Sequence, residues 1–80
     1  MPAMQRYRNL SGKSGVVAYA VGQDHLLVQF VDGAIYRYDA SAPGAAHVAR
    51  MQQLAQRGRG LATYISRHVG KNFADKLDTP

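Results

Sequence analysis

Leu26-Leu27-Val28-Gln29-Phe30-Val31-Asp32-Gly33-Ala34-Ile35-Tyr36-Arg37-Tyr38 is the stretch on which the fold turns. Two apolar runs rich in strand-forming residues flank Asp32-Gly33, the dipeptide that most strongly marks a β-hairpin. The length of the turn sets the core. A two-residue turn pairs Phe30 with Ile35 and places Arg37 and Asp39 on the face of Leu26, Val28 and Phe30. A three-residue turn, Val31-Asp32-Gly33 with a left-handed Gly33, pairs Phe30 with Ala34. Leu26, Val28, Phe30, Ala34, Tyr36 and Tyr38 then share one face, and Gln29, Arg37 and Asp39 the other. A slip of one residue inverts every side chain, so the cleaner segregation selects the three-residue bulged turn.

Outward from the hairpin, Val16 to Val21 reads as a preceding strand, with Val17, Tyr19 and Val21 on one face and Val16, Ala18 and Ala20 on the other. Gly22-Gln23-Asp24-His25 connects it to the hairpin, giving a three-stranded antiparallel meander that needs a cover on its apolar face. The second half supplies one. Ser41-Ala42-Pro43-Gly44 signals a helix start, with a capping side chain and a proline near the first turn. Ala45, Val48, Met51 and Ala55, with Leu54 beside them, mark an amphipathic helix to about Arg57, capped by Gly58. A second helix runs from about Gly60 to Val69 on the stripe Leu61, Ile65 and Val69. Phe73 and Leu77 suggest a further short helical turn. The fold expected is α+β: a three-stranded antiparallel β-meander followed by two C-terminal α-helices packed on one face. Its core is Val28, Phe30, Tyr36, Val48, Met51, Leu61 and Ile65. Residues 1–13 read as an N-terminal arm pinned by Tyr7 and Leu10, 14–77 as one domain, and 78–80 as a polar tail.

Composition restricts the chemistry. Eighty residues make one small domain, and with no cysteine there is no disulfide framework, thiolate zinc site or thiol nucleophile. The five acids are all aspartates, set singly at turns, a strand end and the C-terminus. Acid–base catalysis by paired carboxylates needs two such groups converging on one bond, and this spacing gives none. His25, His47 and His68 are scattered over a loop and two helices without a ligand-spaced partner. The expectation is a protein that is not an enzyme, with no cofactor and no metal. Ser11-Gly12-Lys13-Ser14 imitates the end of a phosphate-binding P-loop, but Tyr7 stands where that motif needs glycine and a strand follows where it needs a helix. The N-terminus lacks a signal-peptide apolar run and no segment reaches membrane-spanning length, so the expected location is the cytoplasm, away from membranes.

The formal charge is +5, and its distribution is uneven. Asp24 to Asp39 holds three aspartates against Arg37 alone. Ala40 to Ala74 has no acid, yet carries Arg50, Arg57, Arg59, Arg67 and Lys71, while Arg6, Arg8 and Lys13 add to the arm. Such a surface attracts phosphate-rich partners, or serves solubility alone. Arg59, Thr63, Arg67 and Lys71 recur every four residues, opposite the apolar stripe. Arg59 sits near the positive end of the second helix, where the dipole disfavours it. Arg57-Gly58-Arg59-Gly60 sets two guanidinium groups on a tight turn, suited either to phosphate oxygens or to plain solvation. Tyr36 and Tyr38 alternate as stacking aromatics do in single-strand RNA binders. The hairpin register instead turns both into the core, leaving Tyr64 or Tyr7 as the aromatic available for a base.

These features together resemble the KTSC domain, a short bacterial module. Tyr36-Arg37-Tyr38 follows a hydrophobic strand and glycine turn, here Phe30 and Gly33. Ser11 and Ser14 precede a first strand holding Tyr19, and a glycine-preceded helix with a spaced isoleucine runs from Gly58 through Ile65. Leu61-Ala62 stands where Phe-Asn is usual. The resemblance covers roughly residues 11 to 70. It implies a module that also occurs at the C-terminus of some lysyl-tRNA synthetases, and from that fusion an RNA partner in preference to DNA. The functional expectation is a non-catalytic RNA-binding module acting through Arg57, Arg59, Arg67, Lys71 and Tyr64. The alternative is a protein-interaction or homodimerisation module using a free strand edge or the outer sheet face bearing Leu27, Val31 and Ile35.

Overall fold

The computed structural model describes residues 4–10, 12 and 14–77. The P-loop-like Ser11 and Lys13 and the polar tail 78–80 lie outside the described residues. Strands β1 (Gln5–Arg6), β2 (Val16–Val21), β3 (His25–Phe30) and β4 (Ile35–Asp39) precede α1 (Ala45–Arg57) and α2 (Leu61–Tyr64). A π-helical turn, Ile65–Val69, continues α2, and β5 (Asp75–Leu77) follows it. The sheet order is β1-β2-β3-β4-β5, with all neighbours antiparallel.

The hairpin takes the bulged register. Leu26 pairs with Tyr38 and Val28 with Tyr36. The Phe30 amide donates to the Ala34 carbonyl at 2.9 Å, and the Gly33 amide donates to the Phe30 carbonyl at 2.8 Å. Gly33 sits at φ 92°, a conformation that side chains disfavour. The Asp32 carboxylate fixes the turn by accepting the Ala34 amide at 3.0 Å. Leu26, Val28 and Tyr38 are consequently buried, with Phe30 and Tyr36 half-buried at the edge of the same face.

Strand β2 departs from simple alternation. Val16 pairs with Phe30 but Ala18 pairs with Gln29, so the register shifts between them. This bulge returns Val16 to the face of Tyr19, and both are buried while Val17 is exposed.

The meander has five strands, not three. Gln5 and Arg6 pair with Tyr19 and Ala18, so the arm begins as an edge strand. Tyr7 is 2% exposed, meets Tyr19 edge-to-face with centroids 6.5 Å apart, and accepts the Leu61 amide on its hydroxyl at 3.3 Å. At the other edge Ile35, Tyr36 and Arg37 pair with Leu77, Lys76 and Asp75. The helical turn expected around Phe73 and Leu77 is absent for a physical reason. Two apolar residues four apart do not nucleate a helix, whereas the open edge of β4 offers ready ladder partners.

The helices cover one face as expected. Val48, Met51, Leu54 and Ala55 of α1 and Leu61, Ile65 and Val69 of the second helix are buried with the inward residues of the sheet. Gln52 docks α1 on the β2–β3 turn, donating from Nε2 to the carbonyls of Gly22 at 3.1 Å and His25 at 2.9 Å. Ser41 does not cap α1. Gly44 occupies the N-cap position, and the Ser41 hydroxyl donates instead to Asp39 Oδ1 at 2.6 Å. Ala45, expected on the apolar stripe, is exposed. Gly58 ends α1 in the left-handed conformation, as the sequence suggests. The π turn also has a physical reading. A four-residue apolar repeat drifts by about 40° per step on an α-helix, and a wider turn reduces that drift. It closes with the Gly70 amide donating to the Ile65 carbonyl at 2.6 Å.

Candidate nucleic-acid interface

Arg57, Arg59, Arg67 and Lys71 are all exposed, on four different local supports. Arg57 is the last residue of α1, where its charge suits the negative end of the helix dipole. Arg59 lies on the inter-helix turn between Gly58 and Gly60, both left-handed. Arg67 projects from the π turn, and Lys71 follows Gly70. The four-residue row is therefore helical only at Thr63 and Arg67, because Gly60 and Gly70, both at positive φ, interrupt the helix at its ends. What unites the four is that none of their side chains makes a hydrogen bond or ion pair among the described residues. Three of the other cations are committed, while Arg6 on the arm is exposed and unpaired among the described residues like the four. Arg8 donates to the Gln56 carbonyl, Arg37 pairs with Asp39 at 3.1 Å, and Arg50 donates to Gln53.

Charge is also divided between layers. The helical half carries only cations, while Asp24 and Asp39 lie together at the end of the sheet where Asp39 pairs with His25. Asp39 is held at about 2, well below the usual carboxylate range, by the Ser41 hydroxyl first, then by Arg37 and the Ser41 amide. Its charge is thereby fixed at the acidic end of the sheet.

The aromatics divide differently from expectation. Tyr7 is buried against Tyr19 and unavailable to a base. Tyr64 is half-buried between two imidazoles, its hydroxyl 2.7 Å from His47 Nδ1 and its ring centroid 4.8 Å from that of His68. No group of three metal-ligating side chains converges among the described residues.

Sequence reasoning missed an aromatic cleft of about 260 Å³ lined by Phe30, Tyr36, Tyr38, Ile65, Lys71 and Phe73, with Gly70 at its edge. Phe30 and Tyr36 meet at 5.6 Å between centroids, and Tyr36 and Phe73 at 4.7 Å. Lys76 Nζ lies 5.7 Å over the Tyr36 ring, a cation–π contact. The chain reversal after Gly70 and the pairing of β5 with β4 carry Phe73 to Tyr36. The Tyr36–Tyr38 alternation was the available signal, but it does not reveal Phe73 as the opposite wall.

The outer sheet face is less apolar than the sequence implies. Leu27 is only 4% exposed and Ile35 is half-buried, leaving Val17 at 39% as its prominent exposed aliphatic, while Val31 at 77% lies in the hairpin turn. The edges of the sheet are the short β1 and β5, which limit strand addition. No helix among the described residues is long and apolar enough to cross a membrane. Compared with protein-family models, curated proteins and solved structures, the chain gives no match.

Proposed function

We propose that this chain is a KTSC-like, non-catalytic module that binds single-stranded RNA through the phosphates. The observation that carries the reading is the commitment pattern of the cations. Among the described residues the side chains of Arg57, Arg59, Arg67 and Lys71 are exposed and unpaired on a helical half without a single acid, whereas Arg8, Arg37 and Arg50 serve internal contacts and Arg6, on the arm, shares the unpaired state. Unpaired guanidinium and ammonium groups meet phosphate oxygens without first giving up a protein partner. Half-buried Tyr64 lies three residues before Arg67, within reach of a base beside a contacted phosphate. RNA is preferred to DNA on the KTSC resemblance, and the cytoplasm is the compartment that fits it.

Titration of the protein with a short single-stranded RNA at low and moderate salt tests the reading, with heparin as a polyanion control. Binding at low salt that weakens steeply with added salt is expected. Absence of RNA binding at low salt overturns it, and heparin binding without RNA binding reduces the basic half to a general polyanion surface.

A further inference from the structure

The aromatic cleft has the chemistry of a recognition site, not of a packing defect. Four rings line it together with Lys71, whose ammonium has no hydrogen-bond or ion-pair partner among the described residues. Tyr38 is 2% exposed, yet its hydroxyl takes part in no hydrogen bond among the described residues. That oxygen is also not sealed from solvent, since no buried side-chain oxygen or nitrogen is left unsatisfied, and the residue lines the cleft. An unpartnered hydroxyl on an almost wholly buried residue that lines an aromatic cavity favours an occupant that brings its own hydrogen-bonding edge.

The complement to these walls is a planar ring with a polar edge, attached to an anion. A nucleotide unit has all three. The volume of about 260 Å³ lies just under the roughly 300 Å³ at which sites for drug-sized ligands begin, which suits one base. We infer that the cleft receives one unstacked base of the bound RNA, its edge against the Tyr38 hydroxyl and its phosphate on Lys71. This rests on the RNA-binding reading above. Aromatic walls accept a base through its π-face or edge, so the site adds affinity with little sequence discrimination. Tyr38 remains a hydrogen-bond donor throughout the physiological range, since burial raises its phenol to about 12.

The test compares a short oligouridylate with an abasic ribose-phosphate oligomer of the same length, using the full chain. The cleft predicts about tenfold tighter binding of the base-bearing oligomer, the order expected of one stacked base. Tyr38→Phe and, separately, Phe73→Ala should reduce that ratio severalfold, with thermal melting used to verify that each variant is folded. Lys71→Gln should weaken both oligomers. Equal binding of the two oligomers by the wild-type protein overturns the inference while leaving phosphate recognition intact. A ratio that survives both Tyr38→Phe and Phe73→Ala overturns it as well, because the base is then read elsewhere, with Tyr64 the first candidate. If neither oligomer binds, the RNA-binding reading itself fails.

Discussion

Arg8 donates from Nη2 to the backbone carbonyl of Gln56 at 2.7 Å, tying the N-terminal arm to the end of α1. Its side chain lies against Gly58, where an added Cβ would stand 2.8 Å from that of Arg8. The Leu10 amide strengthens the same junction by donating to the Gly58 carbonyl at 2.8 Å. A cation on a terminal helix carbonyl satisfies an orphan acceptor and the helix dipole together. Arg8→Met should therefore cost about 1 kcal/mol, read as a fall in melting temperature of roughly 4–8 °C. Gly58→Ala should cost more, since it combines a left-handed alanine with displacement of Arg8. A variant of Arg8 that melts like wild type would show that the Arg8–Gln56 contact does not stabilise the fold.

A half-buried ring of the hairpin and the fully buried side chains of the core should differ in cost. Leu26 and Met51 are 0% exposed, whereas Phe30 stands at the cleft edge. Leu26→Ala and Met51→Ala should each cost about 3–4 kcal/mol, and Phe30→Ala, with less surface to lose from the core, about 2 kcal/mol. Urea denaturation of the three variants gives the order directly. Phe30→Ala as the most destabilising of the three would contradict the burial pattern.

Asp39 supplies a pH signature. Its carboxyl is lowered from 3.8 to about 2, chiefly by the Ser41 hydroxyl and then by Arg37. A group whose folded value lies below its unfolded one stabilises the native state above the unfolded value, and that contribution disappears as pH falls from 3.8 toward 2. Asp39→Asn should thus be less stable than wild type at neutral pH, with the gap closing in acid. A gap unchanged between pH 6 and 3 would mean that the carboxylate is not preferentially held by the fold.

Tyr38 gives the opposite edge of the stability range. Burial, and secondarily the neighbouring Tyr36, raises its phenol from 10.0 to about 12. Stability tied to the neutral phenol is complete below pH 10 and is lost as pH rises from 10 to 12. Tyrosinate absorbance of the native protein should show a late step that Tyr38→Phe removes. A wild-type titration without that step would place the hydroxyl in open solvent.

The hairpin was legible because its register is a choice between two patterns, and only one separates Leu26, Val28 and Tyr38 from Gln29 and Arg37. Both helices were legible from the spacing of Val48, Met51, Leu61 and Ile65. The edge strands were not. Gln5–Arg6 and Asp75–Leu77 are two and three residues long, too short to carry any periodicity, and they form because β2 and β4 leave edges to pair. The bulge at Val16 was hidden because Val16 and Val17 are the same residue type, so neither announces which one turns inward. Among the candidate site residues, exposure of the four cations followed from their opposition to the apolar stripe and from the turn they flank. The aromatic cleft did not follow, because Phe73 reaches Tyr36 only through the long-range pairing of β5 with β4.

The most direct test of RNA recognition by the basic helical half is the salt dependence of binding. Four phosphate contacts by Arg57, Arg59, Arg67 and Lys71 each release about 0.7 counterion from a single strand, predicting a log–log slope of about −3. Replacing Arg57, Arg59 and Arg67 together with Gln should flatten that slope by about 2 and leave the melting temperature nearly unchanged, since none of the three side chains makes a hydrogen bond or ion pair among the described residues. A triple variant that binds single-stranded RNA with the wild-type affinity and slope would contradict the account.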